Sequence, residues 1–580
     1  MVSMNVTISS VIFVLTFISS VSIAAATASS ALLSDDGLKN DLFPEILRDE
    51  AVARLYELGK VSDADGYLER TFLSPASIRA GNLIRTWMED AGLTTWMDGL
   101  GNVHGRIQPP NASNKALLLG SHLDTVVDAG MFDGALGVIS AISALKVLNV
   151  TGRSRHLKHP VEVIAFCDEE GVRFQSTFLG SAAIAGVLPV STLQVSDKSG
   201  LTVQNVLKEN LIDTTEENLS QLKYEADSVL GYVEVHIEQG PVLEAVGLPL
   251  AVVKGIAGQT RIKLTVRGSQ GHAGTVPMSM RQDPMVAAAE LIVSLESLCK
   301  RPQDYISSNG PDGQCNAFSI KSIAGSLVCT VGEISTWPSA SNVIPGQAST
   351  QIPLVSFTID IRTIDDIGRE AIIYELSNQM DTICDRRSVS CIMERKHDAN
   401  AVSCDAGLNS QLKSAAYAAI KRMTGEDIGD VPVLMSGAGH DAMAMSHLTK
   451  IGMLFVRCRG GISHSPEEHV LEDDVWAAGL AIHAFLDTNL LYSIRDGLQG
   501  VSKLLSTLTN SIILILVLSS LVEIRLRLCR VFSSDSEELL EDDSLNFSDF
   551  SSVFHGDSVQ YLTGFGDQCR DWFNVQDLIR

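Results

Sequence analysis

The chain has 580 residues, 45% of them apolar and 19% charged, with a formal net charge of −25. That length exceeds one hydrophobic core and predicts two or three domains, and the composition is that of a folded globular chain. The acidic balance excludes nucleic-acid or anionic-membrane binding as the main task.

Residues 1–30 read as a secretory signal peptide. An apolar segment from Val11 to Val21 precedes two A-x-A cleavage motifs, Ala24-Ala25-Ala26 and Ala26-Thr27-Ala28. This predicts the secretory pathway, with the endoplasmic reticulum as the expected location. Sequons at Asn111, Asn149, Asn218 and Asn546 are compatible with a glycoprotein. From Leu38 to about Lys254, helical and strand patterns alternate. Helices are predicted over Asp49–Leu58 and Ser74–Ala91, strands over Ala116–Leu119, Val161–Phe166 and Leu230–Ile237. Alternation of this kind predicts an α/β fold with a mostly parallel, helix-covered sheet.

Near Gly255 the pattern changes. Arg261 to Arg267 alternates with period two, Pro284–Leu298 is helical, and Leu327–Ile334 and Ser356–Arg362 read as strands. These elements predict a small α+β domain inserted into the larger one. Helix–strand alternation resumes from Gly368 to Leu490. The expected organisation is a discontinuous catalytic domain of residues 31–255 and 368–490, interrupted by an inserted domain at 256–367. The segment Ala348–Ser356 has mixed character. Residues 491–580 form an atypical C-terminal extension. In it, Leu504 to Val522 carries no charge and is followed by Arg525, Arg527 and Arg530, a candidate membrane anchor. The acidic, Ser-rich tail from Ser533 is expected to be disordered. The ten cysteines show no C-x-x-C motif and read as mostly free buried thiols, with one or two bridges compatible with an oxidising compartment.

Five stretches carry chemistry. Gly120-Ser-His122-Leu-Asp124 through Asp133-Gly134 follows a buried strand and precedes a small-residue helix. It is the loop at the carboxyl end of a strand, where open α/β sheets place ligands. One His and three Asp there suit a borderline divalent ion. Asp168-Glu169-Glu170 ends the next strand. Neighbouring side chains on extended backbone diverge, so one glutamate can bind metal while the other takes a proton from water. His236 and Glu238 share a face at the third strand end, with Gln239 pointing elsewhere. In the inserted domain, Gly271-His272-Ala-Gly274 offers an imidazole hydrogen bond to a developing oxyanion. Asn342 can bond an amide, and Arg362 can grip a carboxylate bidentately. Last, Ser436-Gly437-Ala438-Gly439 presents backbone N–H groups to an anion, and His464 follows a strand. Three histidines and two carboxylates, His122, Asp133, Glu170, His236 and His464, are the set two divalent ions need if one carboxylate bridges, with Glu169 left as base.

At these residues the chain resembles the di-metal aminoacylase/carboxypeptidase-like hydrolases. More narrowly it resembles the N-carbamoyl amidase branch, which includes the plant allantoate amidohydrolases (allantoate deiminases). The resemblance covers roughly residues 40–490 and is most specific over Gly255–Pro284 and Asp168–Phe174. It implies that His122 and His236 hold one metal, Glu170 and His464 the other, and that Asp133 bridges them. It implies that Asp124 orients His122, that Glu169 is the general base, and that His272 acts both in catalysis and in substrate binding. Gln239, Asn342, Arg362 and Ser436–Gly439 would bind substrate. It further implies manganese as both ions, and an inserted domain that serves as lid and homodimer contact. The implied reaction is hydrolysis of allantoate to ureidoglycine or ureidoglycolate with release of ammonia and carbon dioxide. Rival expectations are a ureidoglycolate or N-carbamoyl-amino-acid amidohydrolase, an aminoacylase-type peptidase, and a membrane-anchored ligand-binding protein. The Ala348–Ser356 segment looks longer than the family's link between Asn342 and Arg362.

Overall fold

The computed structural model describes residues 43–110, 112–212, 215–306, 320–345 and 355–490. The expected signal peptide, the candidate anchor at 504–522, the acidic tail and most of the 348–356 segment lie outside the described residues. Among the described residues, no helix is long and apolar enough to cross a membrane.

Six strands come first: β1 (Thr94–Met97), β2 (Val103–Ile107), β3 (Ala116–His122), β4 (Val161–Phe166), β5 (Val229–Ile237) and β6 (Leu250–Ile256). Six more follow: β7 (Gly258–Arg267), β8 (Gly271–His272), β9 (Val328–Thr336), β10 (Val343–Ile344), β11 (Val355–Thr363) and β12 (Ser390–Ala399). The chain then makes β13 (Val402–Ser403), β14 (Val433–Ser436) and β15 (Ile451–Val456). The first six and last three form one sheet in the order β1-β2-β4-β3-β5-β15-β6-β13, with β14 also paired to β6. The middle six form a separate sheet, β12-β7-β11-β9, and the pair β10-β8.

The large sheet is mixed. Its central strands β4, β3, β5 and β15 are mutually parallel, and its margins are antiparallel. Strand β3 is buried at every position because both faces are covered. Leu117 and Leu119 enter the core beneath helix Ala135–Val150, while Leu118 enters the opposite core with Phe166, Tyr232 and Met453. The helix is apolar nearly all round for the same reason, and truncating Leu136 or Ile139 to Ala would cost ~2–5 kcal/mol. A Cβ at Gly137 would lie 2.1 Å from the Val235 carbonyl oxygen, so this glycine lets the helix sit directly on β5.

In the smaller sheet, Ile262, Leu264 and Val266 of β7 and Phe357, Ile359 and Ile361 of β11 pack against helices Pro284–Lys300 and Asp366–Arg386. Alternation turns Arg261, Thr358, Asp360 and Arg362 to the other face, where they line one pocket.

One expectation is corrected. Strand β12 pairs with β7, and helix Asp366–Arg386 covers the same sheet, so the inserted domain continues to Ala399 rather than ending at 367. A helix followed by a strand has the same periodicity in either domain, and only the pairing partner decides where it belongs. The allowance of one or two bridges holds, with two formed among the described residues. Cys299 pairs with Cys329 and Cys384 with Cys391, leaving Cys167, Cys404 and Cys458 free among the described residues. Each bridge ties a helix of the inserted domain to a strand of its sheet. For Cys299 and Cys329, 30 residues apart, that proximity is tertiary, whereas Cys384 and Cys391 are joined across a turn of 7 residues.

Candidate di-metal active site

Parallel strands β3, β4, β5 and β15 end at one edge of the sheet, and their last residues converge there. His122 is the final residue of β3, one step earlier than a loop position, and His236 lies one residue before the end of β5. Beyond β4, Asp168 takes a left-handed φ of 57°, and this turn delivers Glu169 and Glu170 to the edge. His464 arrives on the segment after β15, itself at φ 54°. Asp133 precedes Gly134, whose φ is 66° and whose Cβ, if present, would lie 2.6 Å from the His122 ring. Glycine is therefore required for the ring to reach its position.

The imidazole tautomers follow from the hydrogen bonds. His122 Nδ1 donates to the Asp124 carbonyl oxygen at 3.0 Å, and His236 Nδ1 donates to the Ile237 carbonyl oxygen at 2.9 Å. Both Nε2 lone pairs then face inward. They lie 3.4 Å from each other and 3.5 Å (His122) and 2.9 Å (His236) from Asp133 Oδ1. Asp133 Oδ1 is buried with no hydrogen-bond partner. Three acceptors so close repel one another unless a cation lies among them, and their separations match neighbouring ligands on an ion bound at roughly 2.0–2.2 Å. The other oxygen, Asp133 Oδ2, is 3.3 Å from His464 Nε2, which is 3.2 Å from Glu170 Oε1. Each oxygen of one carboxylate thus addresses one donor set, His122/Asp133/His236 and Asp133/Glu170/His464. The residues present fit two divalent ions.

Glu169 lies between the sets, with an oxygen within 4.8 Å of donor atoms of both His122 and Glu170. Burial pushes its carboxyl well above the usual range, and Glu170, Asp441 and Asp124 add to this against the pull of His122. Asp133 goes the other way. Burial would raise it, but when no ion is bound and the imidazoles carry protons, His236, His122 and His464 together hold it well below the usual carboxylate range. His464, half exposed, is raised to about 10 by hydrogen bonds to Asp133 and Glu170.

Asp124 lies against His122 Nδ1 with its main-chain carbonyl at 3.0 Å and its carboxylate at 3.6 Å, and the carboxylate has a further task. Its carboxylate accepts the backbone N–H of Glu169 at 2.9 Å and of Glu170 at 3.0 Å, while His122 is oriented by the Asp124 main-chain carbonyl. The side chain therefore fixes the two glutamates. Gln239 also sits on the centre itself, donating through Nε2 to Asp133 Oδ2 at 2.8 Å.

The inserted domain brings His272 and Asn342 together: β8 pairs with β10, and the Ala273 N–H donates to the Asn342 carbonyl oxygen. His272 Nδ1 accepts the Gly274 N–H at 3.1 Å, so Nε2 carries the proton and is free to donate. Among the described residues, no hydrogen bond or ion pair joins His272 or Asn342 to the metal donors. Arg362 does cross between the domains. Its Nε and Nη2 bind the two oxygens of Asp360 at 2.9 and 3.0 Å, and Nη1 donates to the Gly437 carbonyl oxygen at 2.7 Å. Ser436 Oγ meets His440 Nε2 at 2.7 Å and accepts the Ala438 N–H at 3.1 Å, which fixes the loop from the other side.

Sequence reading missed four residues of this site. Glu468 accepts the Phe132 and Asp133 N–H groups, His440 stands edge-on to His236 with centroids 4.4 Å apart, Asp360 holds Arg362, and buried Arg70 grips the Leu123 carbonyl. Each acts on another protein group across a long sequence separation or from an ordinary strand position, so none carries a local signal.

An α/β sheet whose parallel strand ends gather two donor sets and a buried carboxylate base defines a metal-dependent hydrolase. The profile of peptidase family M20/M25/M40 matches residues 118–488. The chain belongs to that family. It is 72% identical over 449 residues to allantoate deiminase 2 of Glycine max, covering 77% of this chain and 91% of that protein. It is 71% identical over 455 residues to allantoate deiminase of Arabidopsis thaliana, covering 78% and 85%. Among solved structures, a hydantoinase/carbamoylase family amidase from Burkholderia multivorans superposes with a TM-score of 0.64 at 26% identity, over 77% of this chain and 98% of that one.

Proposed function

We propose that this hydrolase acts on allantoate, releasing ammonia and carbon dioxide and leaving ureidoglycine or ureidoglycolate. The observation that carries the reading is the two-sided Asp133 carboxylate between two donor sets with Glu169 beside them, in a chain so similar to proteins named for that activity. When bound, two divalent ions would lower the pKa of water and polarise the ureido carbonyl. Glu169 accepts the proton of the attacking water and returns it to the departing nitrogen. His272 Nε2–H donates to the oxyanion when the inserted domain closes, with Asn342 on the adjacent strand bonding the ureido group. Arg362 offers its remaining N–H groups to the substrate carboxylate, and the Ser436–Gly439 loop and Gln239 line the polar pocket.

The ions are proposed to be manganese, for which a mixed imidazole and carboxylate set is suitable. The chain is proposed to act as a homodimer joined through the inserted domain. It is proposed to be a glycoprotein that enters the endoplasmic reticulum behind its signal peptide. Two disulfides in the inserted domain support an oxidising compartment. The 504–522 segment is proposed as a C-terminal anchor on the composition of that stretch. The deciding experiment measures ammonia release after chelator treatment and manganese addition, with allantoate, ureidoglycolate and an N-carbamoyl amino acid offered in parallel. Manganese-dependent release from allantoate is expected. Release from another ureido compound alone would overturn the substrate assignment.

A further inference from the structure

The two ligands of the second donor set that come from distant parts of the chain, Asp133 and His464, are joined by a residue with no assigned role. Glu468 is buried at 4% exposure on the segment that carries His464. Its Oε1 accepts the backbone N–H of Phe132 at 2.9 Å and of Asp133 at 3.1 Å. Its Oε2 lies 3.1 Å from Ser463 Oγ, and that hydroxyl is also 3.1 Å from Asp133 Oδ2. One carboxyl group therefore holds the Asp133 backbone through two N–H groups and stands beside Ser463, whose single proton goes either to Glu468 or to the Asp133 side chain. The fit is tight: a Cβ at Gly130 would lie 2.3 Å from Glu468 Cβ, so the loop before Asp133 is built against this side chain.

We propose that Glu468 is a positioning residue for the second ion, setting the separation between Asp133 Oδ2 and His464 Nε2. It binds neither ion. The first donor set has its own supports, the Asp124 and Ile237 carbonyl oxygens that orient His122 and His236, and neither contact involves Glu468. Asp133 serves both donor sets, so removing Glu468 touches both ions, but only the second also takes His464 from the segment that carries Glu468, and the larger effect therefore falls on the second ion. Outer hydrogen-bond partners of metal ligands are worth about 10- to 100-fold in metal affinity, which sets the expected size.

The inference rests on the two-ion reading of the site and is tested by binding rather than turnover. Manganese(II) chloride is titrated into the chelator-stripped full chain and followed by calorimetry, with wild type and His464→Ala as references. Glu468→Ala is expected to keep one tight ion and bind the other about 10- to 100-fold more weakly, as His464→Ala does. Glu468→Gln is expected to bind both ions within about threefold of wild type, because its carbonyl oxygen accepts the same two N–H groups and its amide donates to Ser463. Glu468→Asp, shorter by one methylene, is expected to behave like Glu468→Ala. Wild-type binding of both ions by Glu468→Ala would overturn the proposal. Equal weakening of both ions, or failure of Glu468→Gln to restore the second, would also overturn it. A wild-type chain that takes up a single ion would instead break the two-ion reading, and that control separates the two failures.

Discussion

Replacing Glu169 by Gln isolates proton transfer in this site more cleanly than any other change. The side chain keeps its size. Only the Glu169 backbone N–H contacts Asp124, at 2.9 Å, so the turn that presents Glu170 is untouched. The buried carboxyl is costly where it stands, since burial and Glu170 both push it upward, and the neutral amide removes that cost. Folding and ion uptake should therefore survive while the proton acceptor is lost. A positioned general base supplies about 10²–10⁴-fold, or about 2.7–5.4 kcal/mol of transition-state stabilisation at 1.36 kcal/mol per tenfold. The assay is kcat for ammonia release from allantoate on protein whose metal content has been measured. We expect two ions per chain, a melting temperature at or above wild type, and a kcat reduced by at least about a hundredfold. A kcat within tenfold of wild type at full metal content would refute the role of Glu169. Loss of an ion would show that Glu169 is a ligand and not a base.

Further outcomes follow from the same geometry. Asp360→Asn leaves Arg362 with one good acceptor in place of a bidentate carboxylate. Because Arg362 is 28% exposed, the loss is set at about 1.4 kcal/mol, below the usual ~1.5–3 for a charged hydrogen bond, and appears as a roughly tenfold rise in KM with kcat nearly unchanged. A change confined to kcat would contradict this. In the metal-free chain, His464 titrates at about 10, raised from its ordinary 6.5 by Asp133 and Glu170. Its folded-state value is the higher one, so its pairing stabilises that chain fully below pH 6.5 and is lost as pH rises through about 10. Melting temperatures of stripped protein should fall across that window more steeply than those of manganese-loaded protein, and parallel slopes would count against the pairing. Cys299–Cys329 spans 30 residues and Cys384–Cys391 spans 7, so loop-closure entropy gives about 3.7 and about 2.4 kcal/mol respectively. Denaturant midpoints should therefore fall further for Cys299→Ser than for Cys384→Ser, and the reverse order would indicate that chain entropy does not govern these bridges.

Much of the fold is legible in residue pattern because burial on both faces leaves continuous apolar runs. Val161–Phe166 is a strand at the predicted limits, and Ala116–Leu119 is extended by only three residues to His122. The helix predicted at Pro284–Leu298 runs to Lys300, begun by Asp283 capping the Met285 and Val286 N–H groups. The limit of the inserted domain was not legible, because Asp366–Arg386 and Ser390–Ala399 have ordinary helical and strand patterns whatever sheet they join.

The chemistry divides in the same way. Local sequence determined which residue types stand at strand ends: His122, Glu169, Glu170, His236 and His464 follow apolar runs within a few positions, and such placement needs only a one-dimensional pattern. Tertiary structure decided how they are held. It gave the Asp124 carboxylate to the glutamate backbone, turned the two oxygens of Asp133 toward different donor sets, set Asp360 against Arg362, and brought Glu468 across 335 positions to the Asp133 N–H. Those are hydrogen bonds between groups far apart in the chain or hidden within ordinary strands. Their energies depend on distance and direction in space, which residue order does not encode locally.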